Sequence, residues 1–429
     1  MTTPAQAFAK ALVLPPAEAA AALAARDSMA VSWAWMDVYE SAHASQFTVS
    51  RLARADLLQS IYDSLVRSVA GDLTRRDWMR DTRQLLQGSG WWGKREITNP
   101  ETGEIVRKTF DSARLKLIFD TNTRQAYSSG QWQRTVRNQA SHPYIRYVTM
   151  RDSKVRPLHA KWDNVTLPVD HPFWQTHLPP NGWRCRCRWV AVTQAEYDRG
   201  YSEWRAPYSY DQEGNVTHAP PVQRVSFNKN APEIVWRDFH NRSTGETVQT
   251  PAGVDPGFGY NPGSALVRQQ RQLIAHKLAA LDPAIAAAAM AEGLVSEKAF
   301  AQWLQNPDGE MPLVVIPAAD AQAIGSNRQI AILSSQTAQK QLLEHPELTP
   351  AEYMAAQSVI DNATFKVQDG LQSMIYIREL VDDPVAGGYV LVVKTTRTGD
   401  GLFITSIRRL SREEVRRDSE IARLMRKKK

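Results

Sequence analysis

The sequence has few cysteines and lacks a long apolar run. Its 429 residues include only Cys185 and Cys187, which are too few for a disulfide framework. A stretch of about 18 apolar residues that could cross a bilayer is absent, and the alanine-rich start lacks the basic region and cleavage pattern of a secretory signal. The sequence therefore predicts a soluble protein that has no membrane partner and stays in the reducing cytoplasm where it is made.

An excess of charge of one sign is missing from most of the chain. The net charge is +7, but residues 408–429 alone hold ten Lys/Arg against four Asp/Glu. The remainder is nearly neutral, so basicity belongs to the C-terminal tail. The tail is expected to attract DNA or an acidic protein surface with an affinity that falls as salt rises, or else to act as a solubilising tail.

Tryptophan is almost absent from the second half of the chain. Twelve of the 13 tryptophans precede residue 240, which indicates different structural units in the two halves. A chain of this length also exceeds the roughly 250 to 300 residues that one hydrophobic core serves. Proline and glycine are dense in "THAPPVQ" and "TPAGVDPGFGYNPGSA", so we place the main boundary near residue 262. The predicted regions are a mostly helical 1–135, a core motif region 136–205, a Pro/Gly-rich connector 206–263, and an α+β domain 264–429 with a basic tail helix.

The apolar patterns predict an α+β fold. "RADLLQSIYDSLVRSVAG" repeats apolar residues at helical spacing, and Thr74 with Asp77 resembles a cap that begins the next helix. Residues 136–205 are too broken by Pro, Asp and Asn for long elements, which predicts a compact, tryptophan-rich, irregular or β-rich domain. The last region shows helices followed by "ATFKVQ", "SMIYIRE", "GYVLVVKTTR" and "GLFITSIRR", a pattern typical of helices with a short antiparallel sheet.

Six separated motifs resemble one known family. They are "FTVS", "GSGWWG", "TNTRQAYSSGQW", "RDSKVRPLHAKWDNVTLPVDHPFW", "PPNGWRCRCRW" and "DPGFGYNPG". In this order they resemble the phage Mu F-like minor head proteins, the head morphogenesis family, over about residues 30 to 263. The resemblance implies a minor capsid component in the virion head, with portal and capsid proteins as partners during assembly.

The central motifs contain residues that could form either a small core or a metal site. Trp162, Phe173, Trp174, Trp183 and Trp189 could fill a core without a cofactor, with the cysteines packed as small apolar side chains and Arg156 paired with Asp152. Alternatively, His159, His171, Cys185 and Cys187 are the ligand types of a tetrahedral structural zinc site, although their spacing matches no standard zinc signature.

Three arginines alternate with the cysteines in "RCRCR". If the segment is extended, Arg184, Arg186 and Arg188 project from the face opposite the thiols. They would then contact DNA phosphates or an acidic portal surface, or simply form a solvated strand face.

The C-terminal region resembles small toxin-type nucleases of the barnase and colicin group, which some relatives of the family carry. RNA cleavage needs a general acid or base and a cation that stabilises the phosphorane charge. The candidates are His345, Lys394, Arg397, Thr405 and Arg408, but they lack a histidine and glutamate at diagnostic spacing. The alternatives are therefore a structural domain without catalysis and a ribonuclease-like effector delivered with the genome.

Overall fold

A computed structural model describes most of the chain. The described residues are 17–26, 28–99, 102–204, 209–210, 216–218, 221–292, 297–305, 307–380 and 383–426. The chain divides into two compact units, Met1–Leu266 and Val267–Lys429. Both contain helices and small, mostly antiparallel sheets, so the predicted α+β class is confirmed. Within these residues, no helix combines the length and the apolar character needed to cross a membrane.

The first unit begins with helices, the first four of which share one core. The helices of this unit are α1 (Ala17–Ala24), α2 (Ala55–Ala70), α3 (Arg75–Gly88), α4 (Ser112–Arg137), α5 (Pro157–Lys161), α6 (Phe173–His177), α7 (Gln194–Arg199) and the start of α8 (Pro262–Ala279). The apolar stripe of α2 is buried, and the helix ends at Gly71, whose φ of 94° suits glycine. Thr74 accepts a hydrogen bond from the backbone N–H of Asp77, as the sequence pattern predicts, and so caps α3.

Short strands complete the first unit. They are β1 (Ser28–Met29), β2 (Gln46–Phe47), β3 (Gly93–Thr98), β4 (Ile105–Phe110), β5 (Tyr144–Val148), β6 (Thr166–Pro168), β7 (Arg188–Val192), β8 (Tyr201–Trp204), β9 (Ser209–Tyr210), β10 (Val216–His218), β11 (Gln223–Ser226), β12 (Trp236–His240) and β13 (Thr247–Pro251). The central sheet has the order β6-β5-β7, and the other pairs are β1–β2, β3–β4, β8–β11, β9–β10 and β12–β13.

The segment after β13 contributes to the core of the first unit. Val254 and Phe258 are buried in the same cluster as Trp162, Trp174 and Trp189. Burying large aromatic side chains is a major stabilising contribution in a domain with such short elements. The predicted connector therefore supplies part of the surroundings of the central motifs.

The second unit is built on one six-stranded sheet. Its strands are β14 (Glu310–Val315), β15 (Ile330–Ser334), β16 (Phe365–Gln368), β17 (Ser373–Glu379), β18 (Gly388–Thr395) and β19 (Leu402–Arg409), in the order β14-β15-β19-β18-β17-β16. Only the β15–β19 pair in this sheet is parallel. Its helices are the rest of α8, α9 (Pro283–Ala291), α10 (Glu297–Gln305), α11 (Ala318–Ala323), α12 (Ser335–Glu344), α13 (Pro350–Met354), α14 (Ala356–Asp361) and α15 (Glu414–Met425).

Both faces of this sheet are covered. Tyr376 and Leu391 belong to a large apolar cluster that includes helix residues such as Tyr353. Their strand neighbours Ile375 and Val390 belong to a second cluster with Ile421 and Leu424 of α15. Alternating side chains of a strand point to opposite faces, so the tail helix packs on the face opposite the main helical layer.

Candidate functional site

Helix α4 holds the segment Pro179 to Trp189 in place. The Ser128 hydroxyl donates a hydrogen bond of 2.6 Å to the Pro179 carbonyl. Arg124, one turn before Ser128, donates to the Cys185 carbonyl at 2.8 Å. Gln131, about one turn after Ser128, donates to the Trp189 carbonyl at 2.9 Å. The bonds to Pro179 and Cys185 satisfy carbonyl oxygens that precede β7, which helps to explain why an irregular segment can be ordered here.

The central arginine forms an ion pair different from the expected one. Both terminal nitrogens of Arg156 donate to the carboxylate of Asp255 at 2.9 Å, and Nη2 also donates to the Trp183 carbonyl. Asp152 instead accepts two hydrogen bonds of 2.7 Å from Arg186. The expected pairing of Arg156 with Asp152 is therefore wrong, because a carboxylate 99 residues further along the chain occupies the position beside the guanidinium.

The three arginines of "RCRCR" do not form a continuous extended row. Arg184 has a left-handed φ of 61°, which interrupts the alternation expected of a strand. Arg184 and Arg188 are exposed, whereas Arg186 is partly buried by its pair with Asp152. Two of the three side chains thus remain available for a partner surface.

The side chains of His159, Cys185 and Cys187 converge on one point. The Nδ1 atom of His159 lies 3.8 Å from Cys185 Sγ and 3.5 Å from Cys187 Sγ. On the other side of the ring, Nε2 is 2.8 Å from the Gly253 carbonyl oxygen and donates to it, so Nδ1 faces the sulfur atoms with its lone pair. Gly253 has a φ of 89°, and a Cβ atom there would lie 2.7 Å from the Trp162 ring, so glycine permits this close approach.

The two thiols have different pKa values because one hydrogen bond joins them, with Cys187 as the donor and Cys185 as the acceptor. A hydrogen bond from the Cys187 thiol outweighs burial and lowers the pKa of Cys185 to about 4. The same contact with Cys185, together with burial, raises the pKa of Cys187. Cysteine binds metals through a thiolate sulfur and histidine through an unprotonated ring nitrogen.

The distances in this cluster suit a tetrahedral zinc ion. Bonds of about 2.1 Å to nitrogen and 2.3 Å to sulfur place such ligands about 3.6 Å apart. The observed nitrogen–sulfur distances of 3.5 and 3.8 Å bracket that separation. All three ligand atoms lie within 4.8 Å of one another. The hydrogen bond to Gly253 would fix the ring orientation, as is usual for metal-binding histidines.

His171, the fourth predicted ligand, is not part of the group of three. Its Nδ1 accepts a hydrogen bond of 3.1 Å from the backbone N–H of Phe173 at the start of α6. It therefore serves a local turn, and the described residues offer three protein ligands at the cluster.

Aromatic rings pack on the histidine of the cluster and elsewhere in the same core. Trp162 stacks on the His159 ring with centroids 5.0 Å apart, and both side chains are buried. Trp174 is fully buried, whereas Trp183 is partly exposed and packs edge-on against Phe258 at 5.0 Å. Trp162 thus covers the His159 ring with an apolar surface beside the thiols.

The candidate nuclease residues have separate surroundings in the second unit. His345 follows α12, with Nδ1 3.4 Å from a Glu347 carboxylate oxygen. Lys394 and Arg397 are exposed, and Thr405 donates to the Val392 carbonyl at 3.3 Å. Within the described residues, no hydrogen bond or ion pair joins His345 to the other three. Catalysis by these residues stays a prediction.

The basic tail is partly neutralised within its own unit. Arg408 forms an ion pair with Glu420, and Arg417 lies 3.5 Å from Glu379. Burial lowers the pKa of Arg408, the remaining candidate for phosphate stabilisation. The last three lysines lie outside the described residues.

Comparisons with known proteins support the resemblance found in the motifs. Residues 59–190 match the family model described as Phage Mu protein F like protein. The match includes the ligand cluster and Arg156 but ends before Gly253 and Asp255. We call residues 59–190 the Mu F-like region.

Two curated relatives align beyond the Mu F-like region. A protein of Escherichia phage Mu named putative capsid assembly protein F is 34% identical over 271 residues, which cover 62% of this chain and 58% of that protein. The chain thus aligns with less than two thirds of the length of the phage Mu protein. The Mu-like prophage FluMu F protein of Haemophilus influenzae is 28% identical over 384 residues, which cover 82% of this chain and 87% of the relative. No solved structure matches significantly.

Some of these positions could not be assigned from sequence patterns. Asp255 and Gly253 lie 99 and 94 residues after their partners Arg156 and His159. The only signal in the sequence is that Asp255 begins the motif "DPGFGYNPG". No pattern of neighbouring residues marks it as the partner of an arginine.

Proposed function

We propose that this protein acts in the assembly of a tailed-phage head as a minor capsid protein. The alignment with the phage Mu protein named for capsid assembly carries the proposal. The rigid construction of the Mu F-like region supports it, since α4, the bidentate pair of Arg156 with Asp255 and the buried tryptophans hold an irregular segment in one conformation. A preorganised surface loses little conformational entropy when it binds a large partner.

The finer proposal is that the first unit docks on the portal or the inner capsid. Arg184 and Arg188 present exposed guanidinium groups beside the rigid segment, and such groups bind carboxylates of a partner with defined geometry. The C-terminal tail would add electrostatic attraction to packaged DNA. The protein is then a component of the virion head after assembly in the host cytoplasm.

Both levels can be tested in one series of particles. Phage assembly without the protein should yield fewer filled heads, counted by electron microscopy, than assembly with it. Quantitative mass spectrometry should find a few copies of the protein in each normal head. Absence from normal heads, with unchanged head yield without the protein, would refute the assembly role. Cross-linking of intact heads should connect the first unit to the portal; cross-links to the major capsid protein alone would refute portal docking and leave the assembly role intact.

The cysteine and histidine cluster adds a proposal about stability. The three ligands would hold a zinc ion, and a fourth donor would have to complete the closed tetrahedral coordination of a structural site. Zinc would stabilise a region whose helices and strands are short, because metal binding to a folded site contributes directly to folding free energy.

A further inference from the structure

A cavity of about 380 Å³ in the first unit is lined by three arginines. Arg26 follows α1, Arg51 follows β2, and Arg114 lies in the first turn of α4. The volume falls in the range of pockets that take small molecules. This site is independent of the proposed role in head assembly.

The arginines have unsatisfied donors. Arg26 is only 4% exposed, and its Nη1 donates to Asn122 Oδ1 at 3.1 Å. The Nε atoms of Arg26, Arg51 and Arg114 are buried without an acceptor. Within the part of the chain that the structure describes, none of the three forms an ion pair. Removing a guanidinium from water without a counter-charge is costly, so a cavity of this kind favours an anion.

The positive charges are also close enough to affect one another. Burial, and then the nearby Arg51 cation, lowers the pKa of Arg114 and outweighs the opposite effect of the Asp111 carboxylate. Burial, followed by the Arg26 cation, lowers the pKa of His43 in the cavity wall to about 4, so this histidine is neutral near pH 7. An anion placed among the arginines would relieve this repulsion.

One wall of the cavity is aromatic. Trp35 and Trp183 pack edge-on with centroids 6.4 Å apart, and Trp183 packs in the same way on Phe258 at 5.0 Å. Gly257, with a φ of 87°, also lines the cavity, and a Cβ there would lie 3.1 Å from the Trp35 ring. These rings can contact an apolar or aromatic group attached to the anion.

We propose that the cavity binds a phosphate monoester that carries an aromatic or apolar group. Three guanidiniums that form no ion pair among the described residues suit a dianion better than the single charge of a carboxylate, and arginine donors match phosphate oxygens in pairs. The aromatic wall would hold the organic part of the ligand.

Calorimetry and thermal unfolding of the full chain in phosphate-free buffer test the proposal. Phenyl phosphate is expected to bind with one site per chain and to raise the unfolding temperature, because a ligand that binds only the folded state stabilises it. Inorganic phosphate should bind more weakly, and equal binding would assign the site to free phosphate instead. Absence of binding by both at millimolar concentration, or equal binding of benzoate and phenyl phosphate, would overturn the proposal.

Two variants connect binding to the arginines. Arg114→Gln and Arg26→Met should each weaken phenyl phosphate binding by about tenfold or more, since each removes charge-assisted hydrogen bonds. Arg26→Met should also leave the ligand-free protein equally or more stable, because it removes an unpaired buried charge. The matched control is Arg107→Gln, an exposed arginine paired with Glu96. Unchanged binding in both cavity variants, or equal loss in the control, would refute the assignment.

Discussion

At the scale of single residues, the first unit depends on a few polar contacts between distant parts of the chain. Asp255 accepts hydrogen bonds from both terminal nitrogens of Arg156 and from the backbone N–H of Trp183. Gly182 lies directly against this pair, since a Cβ there would be 2.3 Å from the Asp255 carboxylate and 2.5 Å from Arg156. One carboxylate therefore joins the segment after β13 to the motif that contains the cysteines.

The first prediction concerns this carboxylate. Asp255→Asn should lower the free energy of unfolding by about 1–2 kcal/mol, because it leaves a partly exposed arginine without its charged partner. Urea unfolding followed by tryptophan fluorescence measures the loss. Glu96→Gln, which breaks an exposed pair with Arg107, serves as the control and should cost less than about 0.5 kcal/mol. Equal effects of the two substitutions would show that the Arg156 pair has no special role.

The second prediction concerns zinc. Elemental analysis of the purified protein should find about one zinc ion per chain, and the double substitution of Cys185 and Cys187 by serine should remove it. His171→Ala should retain the metal, since its ring serves a turn outside the group of three. A filled structural site would give about one zinc ion per chain, so a content below about a tenth of an ion would be background and would refute the zinc proposal. Loss of metal in His171→Ala would refute the assigned ligand set.

At the scale of elements, helix α4 organises the first unit. Its side chains bond the backbone of the segment 179–189, and Gly130 on the same helix lets the start of α1 approach closely. A Cβ at Gly130 would lie 2.6 Å from the Ala19 backbone nitrogen. A backbone atom cannot move aside as a flexible side chain can, so this contact requires glycine.

The third prediction uses two glycines in helices. Gly130→Ala should destabilise the protein by about 1–3 kcal/mol through overpacking, although alanine is favoured over glycine in a helix by about 1 kcal/mol. Gly88→Ala, at the end of α3, is the matched control because a Cβ there meets nothing within 4 Å. The unfolding temperature should therefore fall in Gly130→Ala and rise slightly in Gly88→Ala. A stabilised Gly130→Ala protein would contradict the close packing of α1 on α4.

The fourth prediction concerns the contact between α13 and the sheet of the second unit. Burial would raise the pKa of Glu352, but hydrogen bonds from Arg409, Thr349 and Tyr389 outweigh it and lower the pKa to about 2. The unfolded chain, with the ordinary value of 4.5, binds more protons between about pH 2 and 4.5. This contribution to stability is therefore present above pH 4.5 and is lost as the pH falls towards 2.

Urea unfolding between pH 2 and 6 checks the sign. Glu352→Gln should reduce the loss of stability on acidification, since glutamine does not titrate. The control is Glu344→Gln, which removes an exposed carboxylate that pairs with Lys340 and should leave the slope nearly unchanged. An identical acid slope in wild type and Glu352→Gln would contradict the lowered pKa.

At the scale of the whole molecule, the two units pose separate functional questions. The Mu F-like match lies entirely within the first unit, whereas the nuclease hypothesis concerns the second. The second unit has a well-formed core around its six strands. A fold of this kind can be structural or catalytic, because chemistry depends on a site and not on the fold.

The fifth prediction tests the nuclease hypothesis. If the second unit is a delivered effector, production of residues 264–429 should be toxic to the host cell, and Lys394→Ala should relieve the toxicity by removing a cation from the reacting phosphate. Lys340→Ala, an exposed lysine on α12, is the control and should remain toxic. Harmless production, together with absence of RNA or DNA cleavage by the full chain, would refute the hypothesis.

The sequence by itself determined the features that depend on neighbouring residues. Apolar spacing and the Thr74 cap predicted α2 and the start of α3, and the order of the motifs indicated a resemblance to the phage Mu F-like proteins, which the match over residues 59–190 supports. Helix propensity, capping and strand alternation act over a few residues, so these features can be predicted from the sequence.

Only the tertiary structure decided which distant side chains meet. His159 and the two cysteines converge, His171 stays in its turn, and Asp255 instead of Asp152 pairs with Arg156. The cavity likewise depends on three arginines from separate segments. Such contacts are set by how helices and irregular segments pack in three dimensions, and the sequence separation of two residues does not encode their distance in the fold.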